Sequence, residues 1–250
     1  MYTKAIVRKP GKNFPQGITT ARLGKPDFKK ALVQHEKYCQ ALMKCGVEII
    51  SLEPDERYPD GCFVEDTAVV AGGMAIITRP GATSRQGEEI DISQILSAWK
   101  KIESIQPPGT VDGGDILKKD DHFFIGISGR TNHEGAGQLK EILSKYGYSA
   151  SEIKVSTVPH LKSGAAYIGK DKFLSIEEFS ERFPFSSVIR VDKDESYSAN
   201  CLLVNDILLI PGGFPATKRN LIAAGYDIME VEMSEFRKMD GGLTCLSLLF

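Results

Sequence analysis

Strand–turn–strand units recur along this chain roughly forty to fifty residues apart, and a repeat of that period restricts the fold more than composition does. Asp66 to Val70, then Ala71-Gly72-Gly73, then Met74 to Pro80 reads as a strand, a tight turn and a returning strand. Asp115 to Leu117 with His122 to Ser128, Ala165 to Ile168 with Lys172 to Leu174, and Asn200 to Val204 with Ile207 to Ile210 have the same form. A fifth unit needs both ends of the chain, with Thr244 to Phe250 beside Thr3 to Arg8, and that pairing would close a ring.

Helical periodicity fills the intervals. From Asp27 to Cys45, an Asp27 cap precedes Phe28, Ala31, Leu32, His35, Tyr38, Cys39 and Leu42 on one face. Glu134 to Tyr146 carries Ala136, Leu139, Ile142 and Leu143, while Ile90 to Lys101 and Pro215 to Ala224 show weaker patterns. Pro107-Pro108-Gly109 and Pro211-Gly212-Gly213 are loops too short to separate independent cores, so residues 1–250 read as one domain. Hairpin, helix and strand repeated five times predict an α/β chain. If the hairpins stand radially, like propeller blades, the mouths of the first strands meet at the centre. Those mouths carry Glu65-Asp66, Asp112, His160, Asn200 and Cys245.

Composition excludes several functions. Lys+Arg at 31 against Asp+Glu at 33 leaves a net charge of -2 with no dense basic run, so nucleic acid is not an expected partner. The longest apolar runs are far too short to span a bilayer, and MYTKAIVRKPG lacks the apolar core of a signal peptide, so a cytoplasmic protein without membrane contact is expected. The five cysteines include no C-x-x-C, which leaves an important thiol to act alone. His35, His122 and His133 lack ligand spacing to a second His or Cys, and the Gly-Gly pairs lack a phosphate loop's setting; no metal and no cofactor is expected.

Seven ordered stretches carry a resemblance: DGCFVEDTAVV (60–70), ITRPGATSRQGE (77–88), VDGGDIL (111–117), FFIGISGRTN (123–132), PHLKSG (159–164), ESYSANC (195–201) and MDGGLTCLSL (239–248). Together they resemble the dimethylarginine dimethylaminohydrolases of the guanidino-group-modifying, or pentein, enzymes. The resemblance implies a five-bladed α/β propeller with pseudo-fivefold repeats. It makes Cys245 the nucleophile and His160 the acid/base, with Asp112 fixing the imidazole. Asp66 would grip the guanidinium edge, with Glu65 and Asp60 as neighbouring polar positions of the pocket. Arg85 and Arg130 would hold the substrate carboxylate, and the carbonyls of Ile18 and Met239 its α-amino group.

The chemistry requires such a pair. Hydrolysis at a delocalised guanidinium carbon needs a strong nucleophile, and thiolate is the most available one in a protein. The amine must leave protonated, which a histidine can arrange. Where the arginine deiminases have a second aspartate two residues after the histidine, this chain has His160-Leu161-Lys162. A carboxylate there would face a dimethylated nitrogen with no N–H, so Lys162 favours an alkylated guanidine. The expected reaction is hydrolysis of Nω-methylated arginine to citrulline and an alkylamine through a thiouronium on Cys245. The alternatives are a hydrolase or deiminase of arginine, citrulline or another ω-substituted arginine, amidino transfer, and a non-enzymatic binding protein on the same scaffold. A homodimer through sheet-edge pairing is left open.

Overall fold

Five three-stranded mixed sheets share one plan: the central strand pairs antiparallel with one neighbour and parallel with the other. The computed structural model describes residues 1–183 and 187–250. Contacts group the chain into two compact units, Val64–Lys162 and the combination of Met1–Phe63 with Ser163–Phe250.

The Val64–Lys162 unit holds two sheets. Met74–Ile77 lies between Ala68–Ala71 and Lys101–Ser104, and His122–Ile127 between Ile116–Lys119 and Ser149–Lys154. The other unit holds three. Lys172–Ser175 is flanked by Ala165–Tyr167 and Ser187–Arg190, Ile207–Pro211 by Leu202–Val204 and Asp227–Val231, and Lys4–Arg8 by Leu248–Leu249 and Glu48–Leu52. The last sheet joins the two chain ends, with Ala5 opposite Leu249 and Ile6 opposite Leu248.

Local signals explain the helices. Asp27 accepts from the Lys30 N–H and starts Phe28–Lys44, and Asn132 accepts from the Gly135 N–H at the start of His133–Lys145. Gly46 and Gly147 take positive φ just past their ends, where glycine carries no Cβ penalty. The helix expected from Ile90 to Lys101 is shorter, Glu89–Leu96, because Lys101 opens a strand parallel to Met74–Ile77. The third strands of the sheets, such as SASEIK and KIES, are mostly exposed or half-buried, with Ile153 buried in the first. Their charged edges carry little hydrophobic signal, as edge strands commonly do.

Each unit has its own apolar packing. In Val64–Lys162 the helix residues Ala136, Leu139 and Leu143 bury against Met74, Phe123 and Ile125. In the other unit Phe14, Phe63 and Phe236 form an edge-packed trio, with ring centroids 5.4–6.3 Å apart, beside Tyr38 and Leu42.

Candidate active site

The polar residues expected at the strand mouths form two constellations, one in each unit. In Val64–Lys162, the single-turn helices Val64–Thr67 and Gly113–Asp115 precede the strands Ala68–Ala71 and Ile116–Lys119. The first turn carries Asp66, whose Oδ2 accepts from Arg85 Nη1 at 2.6 Å and whose Oδ1 accepts from the Gly114 N–H at 2.8 Å. Arg85 is itself buried, and its Nε and Nη2 donate to Glu88. Asp112 is fully buried; its Oδ1 accepts from the Gly81 N–H at 2.8 Å and its Oδ2 meets His160 Nε2 at 3.0 Å. A Cβ on Gly114 would stand 2.9 Å from both Asp66 Oδ1 and His160 Cγ, so only glycine lets these groups crowd together.

This carboxylate cage sets the charge of the imidazole. Burial opposes protonation of His160, but Asp66 beside it, the hydrogen bond to Asp112 and the charge of Asp115 outweigh that effect and push its pKa up to about 9. Burial likewise opposes ionisation of Asp66, yet His160, Arg85 and the Gly114 N–H hold it down to about 2. At neutral pH the pair is therefore imidazolium and carboxylate. Donor atoms of Asp66, Asp112 and His160 lie within 4.8 Å of one another, a spacing that a metal could span. They already spend those atoms on Arg85, Gly114, Gly81 and each other, and the set reads as one that holds a proton.

Two further expected residues lie in this unit. Glu65 is buried and faces Lys162, with Oε1 2.5 Å from Nζ. Arg130 is half-buried, and among the described residues its guanidinium has no hydrogen-bond or ion-pair partner. That separates it from Arg85, which the sequence reading places on the same substrate carboxylate but whose donors are engaged by Asp66 and Glu88.

The second constellation surrounds Cys245. The sequence reading makes Thr244 to Phe250 a strand; the strand is Leu248–Leu249, and Cys245 sits in the single-turn helix Thr244–Leu246. The Gly242 N–H points at its Sγ at 3.3 Å. Asn200, 3% exposed, clamps the turn: its Oδ1 accepts from the Thr244 N–H at 3.1 Å and its Nδ2 donates to Thr244 Oγ1 at 3.0 Å. Tyr197 Oη donates to the Gly241 carbonyl at 2.7 Å. Burial, and the Cys245 sulfur beside it, push that phenol well above its ordinary pKa, which keeps it a donor.

The glycines of MDGGLTC serve close packing rather than a left-handed turn. Asp240 takes the left-handed conformation, with φ 57°, and neither Gly241 nor Gly242 does. A Cβ on Gly241 would lie 2.3 Å from the Phe63 ring, and one on Gly242 would lie 2.4 Å from the Asn200 amide. Close approach excludes a side chain at both positions. Ile18, Asp60 and Met239 converge in the same unit: the Ile18 N–H donates to both Asp60 oxygens at 3.1 Å, and a Cβ on Gly17 would stand 2.4 Å from Asp60 Oδ1 and 3.2 Å from Met239 Cε. Thr19 and Thr20 tie this segment to Lys238 and Asp240.

Sequence reasoning missed Glu88, Asp115 and Tyr197. Glu88 stands three residues after Arg85, Asp115 closes VDGGD and Tyr197 lies within ESYSANC, so all three fall inside the seven stretches, but nothing in spacing marks a side chain as buried.

Five repeated three-stranded sheets, with acids and a histidine at some first-strand mouths and a cysteine at another, define the guanidino-group-modifying class, with its five-repeat α/β propeller-like fold. The family model described as N,N dimethylarginine dimethylhydrolase, eukaryotic, matches residues 21–173. A dimethylarginine dimethylaminohydrolase of Pseudomonas aeruginosa is 45% identical over 254 residues, covering 100% of both chains, and one of Streptomyces coelicolor is 33% identical over 98% of this chain and 95% of its own. The Pseudomonas enzyme, solved as a cysteine-to-serine mutant complexed with citrulline, superposes with a TM-score of 0.98 at 44% identity over the whole of both chains. The chain belongs to the dimethylarginine dimethylaminohydrolase family.

Proposed function

We propose that this enzyme hydrolyses Nω-methylated arginines, asymmetric dimethylarginine and monomethylarginine, to citrulline and dimethylamine or methylamine. The observation that carries the reading is His160 held as an imidazolium by Asp66, Asp112 and Asp115, since an amine leaves a guanidinium only when protonated. Cys245 is the nucleophile. Its thiolate bonds to the guanidinium carbon, giving a neutral tetrahedral adduct; His160 then passes its proton to the alkylated nitrogen, the C–N bond breaks, and a cationic thiouronium remains on Cys245. The neutral His160 takes a proton from the incoming water as its oxygen bonds to the same carbon. Collapse of that adduct breaks the C–S bond while its hydroxyl proton passes to solvent, where the released amine takes it up, leaving citrulline, Cys245 thiolate and the imidazolium.

Asp112 orients the ring and stabilises its charge. Arg130, whose guanidinium is uncommitted among the described residues, takes the substrate carboxylate; Arg85 could join only by loosening its grip on Asp66 or Glu88. Ile18 and Met239 offer carbonyls to the α-amino group, beside Asp60. Lys162, paired with Glu65, leaves no second carboxylate to demand an N–H from the substrate, which suits a methylated nitrogen. Among the described residues no helix is long and apolar enough to cross a membrane, and all five cysteines are free thiols; a reducing cytoplasm suits a thiol nucleophile.

Mass spectrometry of citrulline, ornithine, ammonia and alkylamines after incubation with dimethylarginine, monomethylarginine, arginine or citrulline tests this directly, with Cys245→Ser in parallel. Citrulline with dimethylamine, lost in the variant, is the expected result. Consumption of arginine or citrulline with methylarginines untouched would keep the thiol and refute the Lys162 argument.

A further inference from the structure

Asp115 enters the reaction above only through its charge, yet it is fully buried and its carboxylate accepts from three donors on two segments, the loop of Ser128 and Thr131 and the peptide of Leu161. Its Oδ1 accepts from the Leu161 N–H at 3.0 Å, the peptide that follows His160. Its Oδ2 accepts from Ser128 Oγ at 2.6 Å and from Thr131 Oγ1 at 2.7 Å. Both hydroxyls are relays. Ser128 Oγ accepts from the N–H groups of Arg130 and Thr131 at 3.0 and 3.2 Å, and Thr131 Oγ1 accepts from the Asp112 N–H at 3.1 Å. One buried carboxylate thus reaches the backbone of His160, Asp112 and Arg130 by one or two hydrogen bonds each. A Cβ on Gly126 would stand 2.7 Å from Asp115 Oδ1 and 2.9 Å from Leu161 Cβ, so the strand beneath leaves no slack.

We propose that Asp115 is the positioning residue of the site, a single anionic hub that sets the mutual geometry of the acid/base His160, its partner Asp112 and the substrate-holding Arg130. The inference rests on the roles assigned to those residues above. The carboxylate is needed as such. A serine hydroxyl has one proton and two lone pairs, and the two backbone N–H groups use both lone pairs of Ser128, so its proton must point at Asp115. An asparagine that turns its NH₂ toward the hydroxyls meets the Ser128 proton; one that turns it the other way meets the Leu161 N–H. Either orientation sets donor against donor in a buried site. Charge acts alongside geometry. The groups that face His160 are Asp66, Asp112 and Asp115, with Arg85 behind Asp66 and Glu88 behind Arg85. Removing one of three anions takes away part of what keeps the ring protonated.

The experiment compares full-length wild type with Asp115→Asn, Thr131→Val and Ser128→Ala, reading the His160 pKa by NMR of labelled histidine and kcat and KM on dimethylarginine. Asp115→Asn is expected to lower kcat about 10²-fold, the scale of a misplacement near 1 Å, and to lower the His160 pKa by roughly one unit or more. Thr131→Val, cutting the Asp112 spoke, lowers chiefly kcat; Ser128→Ala, cutting the Arg130 spoke, raises chiefly KM. A folded Asp115→Asn enzyme with wild-type kcat and an unmoved His160 titration overturns the proposal. If that variant does not fold, the split between the other two decides, and wild-type constants in both overturn it. Should wild type leave methylarginines intact, the proposed reaction fails, while the NMR comparison still decides the role of Asp115.

Discussion

Replacing Gly242 with alanine puts a methyl group where the structure has the Asn200 amide. The new Cβ would lie 2.4 Å from Asn200 Cγ and Oδ1, about 1 Å inside ordinary contact. Asn200 is 3% exposed and spends Oδ1 and Nδ2 on Thr244, so it cannot yield that distance without weakening both bonds. Two compromised buried hydrogen bonds cost about 2–4 kcal/mol. For a chain of this size that corresponds to roughly 4–16 °C in melting temperature. The turn that presents Cys245 then loses its clamp, and a shift near 1 Å at a nucleophile is worth about 10²-fold in rate. Thermal unfolding, steady-state kinetics and the alkylation rate of Cys245 by iodoacetamide measure the three consequences, with Asn200→Ala as a companion that removes the clamp without the clash. A Gly242→Ala enzyme that melts, reacts and turns over like wild type would show that Asn200 has freedom the structure does not contain.

Two further outcomes follow from the charged groups. His160 must be protonated to release the amine, so kcat should fall as pH rises through about 9. Stability carries the same sign: with the folded pKa above the ordinary 6.5, the contribution of His160, on the order of 3 kcal/mol, is complete below 6.5 and lost as pH climbs through 9. Urea unfolding at pH 6 and pH 9.5 measures it, and an equal midpoint with a flat kcat would refute the caged imidazolium. The arginines should separate. Arg130→Lys is expected to raise KM about 10-fold with kcat nearly kept, whereas Arg85→Lys replaces a buried fork between Asp66 and Glu88 by one ammonium that cannot keep all of its bonds, and should cost about 1–3 kcal/mol of stability. Kinetics and thermal unfolding of both variants check this, and a KM effect confined to Arg85→Lys would reverse the assignment.

Much of the architecture was legible because it depends on local pattern. Four hairpins announced themselves by apolar runs around short polar turns, and Asp27 marked the start of its helix by a cap that needs no tertiary partner. The charged third strands were not legible in detail, since nearly all their positions are exposed or half-buried and the partner strand is what makes them strands. The helix expected through Lys101 stopped at Leu96 for the same reason: pairing with Met74 outweighed a weak helical period.

Residue types at the strand mouths, and with them the chemistry of a thiol, an imidazole and acids, were determined by the sequence alone, because strand period and turn residues suffice to say which side chains stand at an end. Only the tertiary structure decided what each one faces. It turned Arg85 onto Asp66 and Glu88, gave Lys162 to Glu65, and made the MDGGLTC glycines spacers for Phe63 and Asn200. It also buried Asp115 among three donors from two segments, the loop of Ser128 and Thr131 and the peptide of Leu161. Charge state and close approach are set by neighbours distant in the chain, and no local pattern encodes who those neighbours are.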